Sequence, residues 1–168
     1  FYTRTTGIWQ TVWLEFMPKS RIETVRFYPD IQQGTITLTI QFCGTEDFSA
    51  EILYKGNPMG NISCSACYGR RTFTVRLKEA HLWEPGCGRL YDIIMRFGKD
   101  EVRSYFGLRE ITLQGRKFML NGTSVFQRLV LDQGFYPDGI YTAPDDKALK
   151  RDIEISMQAG FNGARLHE

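Results

Sequence analysis

The sequence predicts a mainly β protein: an antiparallel sandwich of immunoglobulin type, followed by the first β-α-β of a parallel α/β fold. Three observations carry this. Between Arg21 and Leu108 the chain is a series of short segments rich in Ile, Val, Thr, Phe and Tyr, several with the two-residue alternation of strands. Turn residues separate them, at Pro29-Asp30, Gly44, Lys55-Gly56-Asn57-Pro58 and Phe97-Gly98-Lys99-Asp100. After Gly107 the pattern changes to a hairpin, a strand, a long loop, a helix and a second strand.

In chain order, Gly7–Glu15 alternates around Ile8, Gln10, Val12 and Leu14, with Trp9 and Trp13 on the opposite face; it reads as a strand buried on both sides and closed by Pro18. Ile22–Tyr28, Gly34–Cys43, Phe48–Tyr54, Arg71–Leu77, Leu90–Phe97 and Val102–Gly107 are the sandwich strands. Thr35–Phe42 is the cleanest, placing Ile36, Leu38, Ile40 and Phe42 on one face. Arg70-Arg71 reads as a solvated turn. Ile111–Leu120 is a hairpin around Gln114-Gly115, and Ser124–Leu131 a parallel strand covered on both faces. Pro144 in the first turn, with Asp145 and Asp146 behind it, starts a helix. Leu149, Ile153 and Met157 lie on one face of that helix, and Gly160 ends it. Phe161–His167 is the closing strand.

Composition limits the function classes. With 42% apolar and 24% charged residues, the 168-residue chain is that of a folded globular protein. Lys and Arg number 21 against 19 Asp and Glu, so the net charge of +2 is too balanced for nucleic-acid or membrane binding by charge alone. Cys64-Ser-Ala-Cys67 has CxxC spacing, but Cys43 and Cys87 are singles and neither His81 nor His167 completes a zinc set. Free thiols are the expectation, and with no signal peptide at the start a cytoplasmic location is favoured. Asn61-Ile-Ser63 and Asn121-Gly-Thr123 match the glycosylation sequon by a pattern common by chance.

Four groups of residues resemble one family. Tyr2-Thr-Arg-Thr-Thr-Gly-Ile-Trp-Gln-Thr-Val-Trp-Leu-Glu15 resembles the end of the N-terminal jelly roll of glycoside hydrolase family 2, the β-galactosidase and β-glucuronidase family. His81-Leu-Trp-Glu-Pro85 with Leu90-Tyr-Asp92 resembles a segment of its sandwich. Phe106-Gly-Leu-Arg-Glu110 and Leu120-Asn-Gly-Thr123 resemble the start of its barrel, and Phe161-Asn-Gly-Ala-Arg165 its second barrel strand.

The resemblance implies three parts: residues 1–17 as the last strand of a sugar-binding jelly roll, 18–108 as an immunoglobulin-like sandwich, and 109–168 as the truncated start of a (β/α)8 barrel. It implies hydrolysis of β-glycosides with retention, β-galactosidase-like, by a parent enzyme with a β-linked sugar as substrate. Both catalytic glutamates would lie beyond Glu168, so residues 1–168 alone are expected to be inactive. Arg165 would hold the nucleophile ionised, and His167, Glu168 and Asp132, at strand ends, would line a sugar subsite with Gln133 beside them. Tyr136 and Tyr141 either stack on sugar or pack the loop. Trp9, Trp13 and Trp83 are expected in the core or at a domain interface. No cofactor is expected, and these residues offer no metal-ligand cluster, while a metal dependence of the parent enzyme stays open. No nucleic-acid or membrane partner is expected, and a homo-oligomer stays open. The competing reading is a sandwich acting alone as a carbohydrate- or protein-binding module.

Overall fold

The computed structural model describes residues 4–8 and 10–167. Phe16–Val125 forms one compact unit, and the described residues on either side of it form a second.

In the first unit the alternation of Thr35–Phe42 does what it predicts. Ile36, Leu38 and Ile40 are fully buried, and Phe42 nearly so. The strand continues past its expected end, however. β1 spans Arg21–Asp30, while β2 runs Thr35–Tyr54 and takes in two segments expected to be separate. Gly44, expected as a turn, is a bend within β2: its φ is +90°, and a Cβ there would lie 2.6 Å from Ser20 Oγ. The chain bends instead of turning because each half of β2 is paired on both sides. Its first half lies between β1 and β3 (Asn57–Arg76), its second between β3 and β4 (Tyr91–Phe97). β5, Asp100–Phe106, completes the order β1-β2-β4-β5.

These bends fold the sheet over into a sandwich whose inner faces meet through aromatic pairs. Phe42 stacks on Phe97 at 4.5 Å and Phe27 on Phe106 at 5.6 Å, while Tyr91 stacks on Phe106, its register partner on the neighbouring strand β5, at 5.1 Å. At the β1 bulge, Ile22 N–H finds no ladder partner and donates to Asp100 Oδ2 at 2.8 Å.

β3 is where sequence periodicity fails. Its first half, with Pro58, Gly60 and the CxxC, does not alternate, and pairing with β2 makes it a strand. Arg70 and Arg71 are therefore strand residues and not a turn; the Arg71 guanidinium sits 4.7 Å from the Tyr68 ring. Cys64 and Cys67 were expected as free thiols but are joined in a disulfide, while Cys43 and Cys87 are free. In a straight strand residues three apart point to opposite faces. Here Ser65 and Ala66 together oppose Asp47 in a bulge that brings both sulfurs to one side. Asp47 Oδ1 accepts the Ala66 N–H at 2.9 Å, and Ala66 takes a φ of +47°.

Tyr91, fully buried, accepts the His81 N–H at 2.7 Å and donates its hydroxyl to the Glu79 carbonyl at 2.7 Å. Burial raises its pKa, the nearby Tyr54 and Glu79 add to this, and the His81 bond opposes it. A phenol whose folded pKa is raised contributes stability that is complete below its unfolded pKa of about 10 and lost as pH rises through the folded value. We expect Tyr91→Phe to lower stability at pH 7 by about 1–3 kcal/mol, since two buried backbone groups lose their partner. It should also remove Tyr91's part of the alkaline loss. Urea midpoints at pH 7 and above pH 10 check both effects, and a variant matching the parent at each pH would remove Tyr91 from this account.

β6 (Ile111–Gln114), β7 (Lys117–Leu120) and β8 (Thr123–Ser124) form a small antiparallel sheet, with the expected hairpin turn at Gly115. The strand expected over Ser124–Leu131 is split. Ser124 pairs back to Met119, and only Leu129–Asp132 forms a parallel strand, β9, because Thr123-Ser124 complete the local sheet first.

In the second unit, helix α1 is Asp146–Gln158. It begins later than expected: Asp145 is the N-cap, its carboxylate accepting the Ala148 N–H at 2.8 Å, and Pro144 precedes the cap. Leu149, Ile153 and Met157 form the predicted stripe but stand exposed. β10 is Gly163–Leu166. The strand expected over Gly7–Glu15 does not form: its described residues carry no strand, and Val12, Trp13 and Leu14 are 74%, 72% and 88% exposed. Alternation favours a strand only when another strand supplies the ladder and a face to bury against. Trp9 lies outside the described residues.

Candidate functional site

The predicted site sits at the carboxyl ends of β9 and β10, which run parallel with Leu131 opposite Arg165 and Asp132 opposite Leu166. Asn162 sets this register from below. Its side chain accepts the Arg128 N–H at 2.8 Å and donates to the Phe126 carbonyl at 2.9 Å, while its own N–H donates to the Arg128 carbonyl at 3.0 Å. Arg128 Nε closes the same end on the Gly160 carbonyl at 2.8 Å. At the upper end, His167 N–H donates to the Asp132 carbonyl at 2.9 Å.

Strand alternation sorts the predicted residues by face. Arg165 and His167, two apart, share a face, with Leu131 and Gln133 beside them. Gln133 Nε2 lies 3.4 Å from His167 Nδ1, consistent with that sharing. Asp132 belongs to the other face with Leu166, and its carboxylate accepts the Gly134 N–H at 2.8 Å to shape the loop. The structure therefore brings Arg165, His167 and Gln133 together and does not bring Asp132 to them. Arg165 makes no ion pair with any described residue. Glu168 lies outside the described residues.

The loop after β9 is anchored in ways that spacing did not reveal. Tyr136 and Ile140 exchange backbone hydrogen bonds at 2.8 and 3.0 Å. Tyr136 donates its hydroxyl to Asp152 Oδ2 of α1 at 2.8 Å, and this bond, ahead of burial, raises its pKa. Tyr141 packs edge-on against Phe135 at 6.0 Å. Both tyrosines thus have packing roles. No signal in the sequence could have paired Tyr136 with Asp152, because the loop path decides it.

In the first unit, Trp83 is partly buried and lies under the Arg109 guanidinium at 4.5 Å, beside a concavity of about 600 Å³ that Tyr105 and Phe106 also line. Asn121 ties this corner together. Its Nδ2 donates to the Trp83 carbonyl and its Oδ1 accepts the Glu110 N–H, both at 3.0 Å. The amide of this sequon asparagine is thus engaged within the fold. Among the described residues, no group of three or more His, Cys, Asp and Glu could hold a metal ion, and no helix is long and apolar enough to cross a membrane.

No family model matches the chain. In sequence it is similar to a β-galactosidase of Staphylococcus xylosus, 27% identical over 111 residues that make up 66% of this chain and 11% of that protein. In structure it is similar to a Faecalibacterium prausnitzii β-glucuronidase, with a TM-score of 0.78 and 24% identity over 90% of this chain and 24% of that one. Bacteroides uniformis β-glucuronidase 3 gives a TM-score of 0.74 and 23% identity over 89% of this chain and 20% of that one. A Ruminococcus gnavus β-glucuronidase in complex with uronic isofagomine gives 0.71 and 19%, covering 89% and 25%. The chain spans about a tenth of the curated relative and a quarter or less of these solved chains.

Proposed function

We infer that this chain, similar in sequence to a β-galactosidase and in fold to β-glucuronidases, belongs to glycoside hydrolase family 2 and serves as the sandwich and first barrel strands of a retaining hydrolase of β-glycosides. The observation that carries the reading is the pair of parallel strands with Arg165, His167 and Gln133 on one face at their carboxyl ends. In barrels of this kind chemistry is done at that end.

Retention takes two carboxyls about 5–5.5 Å apart, one attacking the anomeric carbon and the other protonating the leaving oxygen and later activating water. Both belong, in this proposal, to residues outside 1–168, and the chain by itself does not hydrolyse glycosides. Arg165 would face the nucleophile, its permanent planar cation keeping that carboxylate ionised and turned toward the sugar. Gln133 Nε2 donating to His167 Nδ1 would leave the imidazole proton on Nε2, ready to donate to a sugar hydroxyl. Asn121 would tie Trp83 of the sandwich to Glu110, in the segment that leads out of it.

The test is to express the complete reading frame that contains these residues and assay aryl β-galactosides and β-glucuronides. NMR would follow the anomer first released. We expect hydrolysis of one of the two substrates with retention, and a fall in kcat on the order of 10²-fold for Arg165→Lys. Hydrolysis of neither substrate, or release of the inverted anomer, would sink the proposal.

A further inference from the structure

The outer face of β1, β2 and β3 carries an array that the proposed hydrolysis does not use. Register sets it in four rows across the three strands: Asp30-Thr35-Arg76, Tyr28-Thr37-Thr74, Arg26-Thr39-Thr72 and Thr24-Gln41-Arg70. The opposite face of the same strands holds Ile36, Leu38 and Ile40 in the core, so all of these rows point outward.

Two features set the face apart from an ordinary solvated surface. First, its hydroxyls are ordered: Thr37 and Thr74 share a hydrogen bond at 2.9 Å, and Thr39 and Thr72 one at 3.3 Å. Second, its cations are unmatched. Arg26, Arg70 and Arg76 are exposed, and none makes an ion pair with a described residue. Of the acids nearby, Glu23 pairs with Arg21 at 2.9 Å, and Asp30, whose Oδ1 accepts the N–H groups of Gln32 and Gln33 at 2.9 Å, keeps its charge in the Arg76 row, so the four rows carry three cations against one anion. Arg26 and Arg70 stand two strands and one row apart, roughly 12 Å between Cα atoms. Arg70 and Arg76 bracket the threonines along β3 at roughly 20 Å. Tyr28, 49% exposed, adds one aromatic surface among the hydroxyls.

We propose that this face binds an acidic polysaccharide, its carboxylates meeting Arg26, Arg70 and Arg76 and its hydroxyls lying along the threonine rows. Planar guanidinium groups pair carboxylates in bidentate fashion, and ordered hydroxyls both donate and accept, as sugar hydroxyls do. A single-stranded nucleic acid fits less well. One tyrosine gives no platform for successive bases, and three cations make a weak electrostatic track. The proposal stands apart from hydrolysis, because it concerns binding by the sandwich and needs no catalytic carboxyl.

Affinity electrophoresis of the full chain through gels containing polygalacturonate, neutral dextran or a single-stranded oligonucleotide tests it. We expect retardation by polygalacturonate alone, weakening as salt is raised. Arg26→Gln with Arg70→Gln should reduce the apparent affinity about fivefold or more, and Arg103→Gln on β5 should leave it unchanged. Circular dichroism of each variant establishes that the fold is kept. No retardation by polygalacturonate overturns the proposal. So does equal retardation by the oligonucleotide, or an equal loss on Arg103→Gln. Hydrolysis by the complete protein is read separately and can fail or succeed without altering these outcomes.

Discussion

Replacing Leu38 by Ala is expected to lower the unfolding free energy of the sandwich by about 3–5 kcal/mol, the range for emptying a closed core site. Leu38 is fully buried in the middle of β2, with Phe27 of β1 and Phe73 of β3 as its register partners. Both register partners belong to strands hydrogen-bonded to β2, which limits collapse into the space. That places the effect toward the upper part of the range. Leu113→Ala is the control: Leu113 is 76% exposed, and its loss should change stability by no more than about 0.5 kcal/mol. Urea midpoints of the two variants give the comparison, and near-equal losses would mean that Leu38 is not at the centre of the core.

The second large effect is expected at Asn121, whose replacement by Ala should cost about 2–4 kcal/mol because two polar partners are orphaned at once. The Glu110 N–H and the Trp83 carbonyl both rely on its amide. The residue also holds a φ of +50°, which asparagine tolerates better than alanine does. Asn121→Gly relieves the backbone but keeps both orphans, so it should cost less than Ala and more than nothing. Asn121→Asp keeps the acceptor for Glu110 and loses only the donor to Trp83. A graded series, Ala worst, with faster amide exchange at Glu110 in the Ala and Gly variants but not in the Asp variant, is the expected result. If Asn121→Asp equalled Ala, the bond to Glu110 would carry nothing.

Asn121 also shows what the motif reading reached and what it missed. The group Leu120-Asn-Gly-Thr123 was singled out by resemblance, yet nothing in its spacing ties Asn121 to Trp83, 38 residues earlier. The site at β9 and β10 is similar. Strand-end position picked out Arg165 and His167, but Asp132 falls on the other face. Gln133, expected only beside the subsite residues, is the one that reaches His167. A shift of one residue at a strand end reverses the face, and a loop sequence does not say where its strand stops.

By itself the sequence determined whatever depends on local period and local caps: the buried face of Ile36, Leu38 and Ile40, the hairpin at Gly115, and the helix with its glycine stop. It also determined the order of sandwich before β-α-β. Only the tertiary structure decided that two predicted strands are the single β2, that Asn57–Arg70 is strand, and that Cys64 and Cys67 meet across a bulge. It also left Gly7–Glu15 without a strand among its described residues. The reason is common to all four. Whether a segment is extended, bent or paired depends on which neighbour offers it hydrogen bonds and an apolar face, and that neighbour is distant in sequence.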